Sequence, residues 1–197
     1  MVKTLRLVRL VLITLVFCSS SVVQAVGITP VSGLNITGGT FNYGTHTTGS
    51  NFGGGVLADT VLADSVQFES GLIYLPHKII SHQNLTTNSY WTGLQIPVIA
   101  RYAVLPFLHA GGGVYYEYVI GNFEYVNSER SENTIPPRDA NIGLIANVQS
   151  RFPVSAALEF VADARFEWGL LNFEEPDSPL VTKYNHFVVL TGFRFTL

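Results

Sequence analysis

Residues 156–170 read AALEFVADARFEWGL, and every second position of that run is apolar. Ala156, Leu158, Phe160, Ala162, Ala164, Phe166, Trp168 and Leu170 form one set, while Glu159, Asp163, Arg165 and Glu167 fall in the interleaved set. A period of two marks a β-strand with a different medium on each face. The same alternation recurs and predicts eight strands, over residues 32–43, 55–62, 65–75, 91–104, 107–121, 141–152, 156–170 and 185–197. Pro97 lies inside the fourth, and because proline removes a ladder donor a bulge is expected there.

The connections alternate in length. Long polar loops are expected over residues 44–54, 76–90, 122–140 and 172–184, and tight turns at Ala63-Asp64, Leu105-Pro106 and Phe152-Pro153. In an antiparallel meander, alternate connections share an end. All the long loops therefore emerge at one end, and the turns lie with both termini at the other, the asymmetry of outer-membrane barrels. An even strand number lets the sheet close, and closure leaves no edge unpaired in lipid. The predicted fold is an all-β, eight-stranded antiparallel up-and-down transmembrane barrel.

Two barrels would satisfy this alternation. A soluble, lipocalin-like barrel turns its apolar faces inward; a membrane barrel turns them outward. Tyr74, Trp91, Tyr102, Tyr116, Tyr118, Phe152, Trp168 and Phe173 stand near strand ends, where interfacial girdles belong. An eight-stranded interior is only just wide enough to be filled by side chains, so rows of large rings pointing inward would be crowded. The apolar faces are therefore assigned to lipid and the polar faces to the lumen.

Composition agrees. Only 13% of residues are charged, where about 25% is usual for a soluble domain, and the chain holds 13 Phe, 9 Tyr and 2 Trp. At the amino terminus Lys3, Arg6 and Arg9 precede an apolar run over residues 10–17, followed by Val23-Gln24-Ala25. This predicts a secretory signal over residues 1–25, cleaved after Ala25, and a barrel domain over 26–197. A lipoprotein signal ending at Cys18 fits less well, because Phe17 stands where a small residue is needed. Cleavage would remove Cys18, the only cysteine, and with it any disulfide. With 11 Lys and Arg against 14 Asp and Glu, nucleic acid is not an expected partner.

The lumen-facing positions carry the candidate chemistry. Asp59, Glu69, Glu117, Glu159, Asp163 and Glu167 meet Arg101, Arg151, Arg165, Arg194 and His109. Unpaired charges in a narrow lumen are costly, so near balance predicts a paired structural network filling the barrel rather than a gated path. Catalysis by a lipase-like site needs a hydroxyl nucleophile, a nearby histidine and a carboxylate. No Ser and His stand two apart on one strand face, and His77 and His82 are read as solvated loop residues. Those two histidines with Glu174, Glu175 and Asp177 are ordinary loop polarity rather than a metal site. Gly111-Gly112-Gly113 is no phosphate loop, since no helix follows it; it gives large lumen side chains room or allows the strand to curve. No catalytic, metal or cofactor residue is expected.

The run LQIPVIARYAVLPFLHAGGGVYYEY, residues 94–118, resembles the middle of the PorT-like outer-membrane β-barrel domain. There a short apolar strand with a proline leads through a tight turn into a Gly-rich, aromatic strand. Gly192, Phe195 and the terminal Leu197 are similar to the carboxy-terminal signal read by the outer-membrane assembly machinery. The resemblance covers essentially the whole mature chain and implies an eight-stranded barrel of the OmpA/OmpW general type, with no specific activity. The expected role is structural or surface-interacting, in a monomer whose partners are outer-membrane lipid, lipopolysaccharide and the assembly machinery. The alternatives are a narrow conduit for a small solute and a lipid-modifying enzyme.

Overall fold

Strand pairing extends beyond the marked alternation at both ends of most segments. A computed structural model describes residues 24–41, 47–63, 65–82, 86–127, 131–134, 139–171 and 182–197. It contains β1 (Gln24–Phe41), β2 (Thr47–Ala63), β3 (Val66–His82), β4 (Thr86–Leu105), β5 (Leu108–Asn127), β6 (Ser131–Thr134), β7 (Ala140–Ser155), β8 (Leu158–Gly169) and β9 (Thr182–Thr196). All pairings are antiparallel between chain neighbours, β9 pairs back onto β1, and β5 pairs with β7. The sheet is thus a closed eight-stranded barrel. The four-residue β6 stands outside the ring, folded against the far end of β5.

Several expectations are corrected by these bounds. Residues 47–54, expected in a loop, belong to β2, because β1 offers a full row of partners down to Gly39↔Thr47. Likewise residues 76–90 are not one polar loop: β3 runs on through Pro76 and His77 to His82, and β4 begins at Thr86. The long loop expected over 122–140 is shortened by β5, which continues to Asn127, and by β6. The chain turns at Ala156 and Ala157 rather than at Pro153, so the first two residues of the opening stretch form the turn. The leader, apart from Gln24 and Ala25 at the start of β1, lies outside the described residues, as do Glu174, Glu175, Asp177 and Phe173.

No bulge occurs at Pro97. The β4–β5 register runs unbroken from Thr92↔Ile120 through Pro97↔Tyr115 to Ala103↔His109. The missing donor is absorbed on the other side, where pairing with β3 skips from Ser70↔Val98 to Ile73↔Gln95 and the Ser70 hydroxyl donates to the Pro97 carbonyl at 2.8 Å. Register shifts occur instead beside the tight turns, at Val61/Ala63, Ala103/Leu105 and Pro153/Ser155, at the start of β1 (Gln24/Val26), and around Trp91 in β4 (Tyr90/Thr92).

The outer wall is apolar. Leu72, Ile96, Val98, Val114, Leu144, Val148 and Phe166 are exposed, while Glu69, Arg101, Asp163, Arg165 and Glu167 on the same strands are buried. That orientation excludes the lipocalin-like barrel, and an apolar belt around a closed sheet is solvated by lipid. A transmembrane strand needs about 9–11 residues; β4 and β5, at 20 each, carry the sheet past the hydrocarbon layer at the long-connection end. Near the turns an aromatic ribbon crosses the outer wall: Phe107 stacks with Phe152 and Phe152 with Phe160 (centroids 6.5 Å apart each), and Phe160 meets Phe193 edge-on at 5.7 Å. Tyr74, Tyr102, Tyr118 and Trp168 also face outward. Trp91 does not: it is buried in the lumen against Ile79, Val119 and Tyr184, because it shares a strand face with Gln95.

The two tryptophans therefore report opposite sides of one wall. In vesicles containing brominated lipid, Trp91→Phe, which leaves only Trp168, is expected to show strong fluorescence quenching. Trp168→Phe, which leaves only Trp91, is expected to show little. Equal quenching of the two would contradict the assigned facing.

Candidate functional site: the filled lumen

From the turn end upward, the lumen is packed in layers. The lowest is centred on Asp59 of β2. Arg194 of β9 donates to it through Nε (2.8 Å to Oδ1) and Nη2 (2.9 Å to Oδ2), and reaches Glu159 through Nη1 at 3.0 Å. Arg151 of β7 approaches the same carboxylate at 3.5 Å and donates through Nε to Gln149 Oε1 at 2.6 Å. His109 meets Gln67 at 3.3 Å. The Arg194 guanidinium lies flat across Gly27 of β1, where an added Cβ would stand within 2.5 Å of its Cζ.

The next layer is the densest. The β7–β8 register sets Asn147 beside Arg165 and Gln149 beside Asp163. Glu69 and Arg101 face them from β3 and β4. Arg101 forks onto Glu69 (Nη1 to Oε2 2.6 Å, Nη2 to Oε1 2.8 Å), extends Nη2 to Asp163 at 2.9 Å and donates through Nε to Asn147. Arg165 mirrors it, with Nη2 2.8 Å from Glu69 and 3.1 Å from Asp163. Gln149 adds a bond to Asp163 at 3.0 Å. Two arginines and two carboxylates thus bridge opposite walls. Charge-assisted, forked bonds of this kind are the strong ones, and Arg101 and Arg165 are essentially inaccessible to solvent.

Above it, Gln95 of β4 donates across the lumen to Glu167 of β8 at 2.8 Å. The uppermost polar layer holds Glu117, His77, His186, Asn35, Thr37, Tyr115 and Asn141. Pro76 O can only accept, and Asn35 Nδ2 lies 3.0 Å from it, which fixes that nitrogen as the donor. The same Nδ2 faces His77 Nδ1 at 3.1 Å, so Nδ1 accepts and the ring proton sits on Nε2, 3.3 Å from Glu117 Oε1. The Thr37 hydroxyl lies between His77 Nδ1 (3.0 Å) and His186 Nδ1 (3.2 Å). His77 stacks on Trp91 at 4.8 Å, and Trp91 packs on Tyr184. Glu117 lies over Gly93, and Tyr115 over Gly143.

All eleven residues expected in the lumen face it, with Glu159 the most exposed at 29%. They do not form one network. Glu117 turns to His77 and Glu167 to Gln95, apart from the arginines of Asp59, Glu69, Glu159 and Asp163. The lumen is also less polar than the sequence implied. Val31, Leu57, Ile73, Leu75, Val188 and Leu190 form an apolar cluster on one flank, and Ile99, Tyr115 and Ile145 another. His77, expected as a solvated loop residue, is buried, because β3 keeps its phase past Pro76 and places Ile73, Leu75, His77 and Ile79 on one face. His186, Asn35 and Thr37 were also missed. The signal lay in strand phase: Asn35 and Thr37 alternate with outward residues from Val31 onward.

Thr37, His77 and Glu117 form a hydroxyl–imidazole–carboxylate series, the order hydrolases use. Thr37 is fully buried, however, and Asn35 already occupies the ring nitrogen that would act as base. Among the described residues no group of three or more His, Cys, Asp or Glu side chains is arranged to hold a metal ion.

No family model matches the chain. No curated protein matches it either. Solved structures do match in fold. OprG from Pseudomonas aeruginosa aligns with a TM-score of 0.56 at 13% identity, over 89% of this chain and 97% of its own. Ail, the attachment invasion locus protein of Yersinia pestis, solved with the heparin analogue sucrose octasulfate, aligns at 0.52 and 11% identity, over 87% and 100%. Neisserial surface protein A aligns at 0.51 and 10% identity, over 88% and 100%. The shared architecture is that of outer-membrane barrels.

Arg165→Ala is expected to lower stability in detergent by about 3–5 kcal/mol, the effect of stripping the partner from a buried ion pair. Glu159→Ala, at the open edge of the lowest layer, is expected to remove about 1 kcal/mol or less. Thermal midpoints from heat-modifiable gel migration measure both; a smaller loss for Arg165→Ala than for Glu159→Ala would contradict the layered packing.

Proposed function

We propose that this outer-membrane barrel is a plugged, non-catalytic envelope protein, with a structural or surface-interacting role exercised through its long connections. One observation carries the reading: the Glu69–Arg101–Asp163–Arg165 cluster spans the lumen from β3 and β4 to β8, and its arginines have no solvent-accessible surface to speak of. Eight-stranded barrels are narrow enough for side chains to fill them, and here they do so at every layer described. A filled lumen moves specificity to the ends of the barrel. The turn end offers little, with two-residue turns at 106–107 and 156–157, whereas the far end carries the prolonged β4–β5 wall and β6.

The chain acts as a monomer, with lipid and lipopolysaccharide against its apolar wall. Kinship with PorT-like domains is supported by the β4–β5 hairpin, in which a Pro-containing strand, a tight turn and a Gly-rich strand follow one another as in that pattern. The assembly machinery would read Gly192, Phe195 and Leu197 on β9, where Phe195 and Leu197 face outward at the turn end. A lipid-modifying enzyme is disfavoured by the burial of Thr37.

In planar bilayers the protein is expected to give no sustained conductance. A variant with Glu69, Arg101, Asp163 and Arg165 all replaced by serine is expected to open steps. Steady channels from the unmodified protein would favour the conduit reading instead.

A further inference from the structure

The lumen charges do not cancel layer by layer. Arg101, Arg151, Arg165 and Arg194 are bonded to or paired with Asp59, Glu69, Glu159 and Asp163, four cations on four carboxylates. Glu117 and Glu167 remain, in the layers above. Glu117 has His77, placed with its Nδ1 as an acceptor, and the Trp91 side chain as partners, and Glu167 has the neutral amide of Gln95. Lys78 cannot reach them, since it lies on the opposite face of β3 with its ammonium over the Tyr90 ring, and Lys183 is exposed. Among the described residues Arg165 comes up from the layer below, with its Nε and Nη2 committed to Asp163 and Glu69; its Nη1 has no hydrogen-bond partner and bonds neither Glu117 nor Glu167.

Around these two carboxylates, buried acceptors stand without donors. Glu117 Oε2, Glu167 Oε1, Gln95 Oε1 and Asn141 Oδ1 have no hydrogen-bond partner, and Gln95 and Asn141 are at most 5% exposed. Register places them together: Gln95 pairs with Glu117, and Glu117 with Asn141. Glu167 is joined to the group by the Gln95 bond across the lumen. Each unpaired buried acceptor, and above all each unpaired carboxylate oxygen, is strongly unfavourable. Tyr115, Trp91 and Tyr184 wall the space with aromatic surface, which favours a cation further.

We propose that the upper lumen binds a small monovalent cation, with Glu117 and Glu167 as its counter-charges and the Gln95 and Asn141 amide oxygens as neutral ligands. Ammonium fits best by chemistry, because its N–H groups supply the donors that four bare acceptors lack. Potassium and rubidium, of similar size, would substitute. Such an ion completes the plug rather than passing through it, because the arginine–carboxylate layers beneath it fill the lumen.

The test uses the full-length barrel in detergent, with unfolding midpoints measured in ammonium, potassium or N-methylglucamine chloride at one ionic strength. N-methylglucamine is too large for the lumen and screens equally. Ammonium or potassium at a hundredfold excess over the Kd is expected to raise the midpoint by about 5–10 °C over N-methylglucamine. Glu117→Gln with Glu167→Gln should abolish that difference, and Glu159→Gln should retain it. Equal midpoints for the unmodified protein in all three salts, or a difference that survives the double substitution, would overturn the proposal. Should the double variant fail to fold, rubidium anomalous scattering from crystals of the unmodified protein decides: a peak between Glu117 and Glu167 supports the site, and its absence refutes it. Bilayer conductance tests the plugged lumen separately.

Discussion

Backbone hydrogen bonding in a medium that offers no partners is the constraint on which this structure depends. Inside lipid every strand N–H and C=O must be paired within the protein, so the sheet has to close. The β1–β9 seam meets that requirement with a register that runs from Gly27↔Thr196 to Phe41↔Thr182. It also explains why Pro97 is tolerated without a bulge: its ring faces the lumen, its ladder to β5 is intact, and the Ser70 hydroxyl takes up the carbonyl on the β3 side.

Closure creates an interior that must then be filled, and the alternation that turns apolar residues to lipid delivers polar ones to that interior. Burying charge is favourable only when geometry satisfies it. Arg101 and Arg165 meet this by sharing the same two carboxylates from opposite walls. Glycine makes the geometry possible. Gly27, Gly93 and Gly143 remove the side chains that would collide with Arg194, Glu117 and Tyr115, so long side chains lie across a neighbouring strand rather than competing for the axis. Where arginine is absent, the filling changes to aliphatic residues on one flank and to rings at the far end.

This division bears on function. The lower layers are closed by balanced, forked ion pairs, and the upper layer retains surplus negative charge with bare acceptors. The first suits a fixed plug and the second a site that a donor completes. Fold similarity to OprG, Ail and Neisserial surface protein A fixes the architecture and leaves the chemistry to the chain's own residues.

The sequence by itself determined the architecture: a period of two needs no partner to be read, and residues 156–170 carry it clearly enough to sort Phe166 and Trp168 from Asp163 and Arg165. Alternating connection lengths gave the order and the two unlike ends. Strand ends were less legible, because residues such as Gly49, Gly53 and His77 become strand only when β1 and β4 supply their partners. Trp91 looked like a girdle residue from its place near a strand end, and only the phase it shares with Gln95 turns it inward. Pairing was beyond the sequence altogether. Which carboxylate meets which arginine depends on stagger between strands far apart in the chain, and on side chains reaching across the lumen. Tertiary structure alone decided that Glu69 and Asp163 share two arginines while, among the described residues, Glu117 and Glu167 have none to themselves.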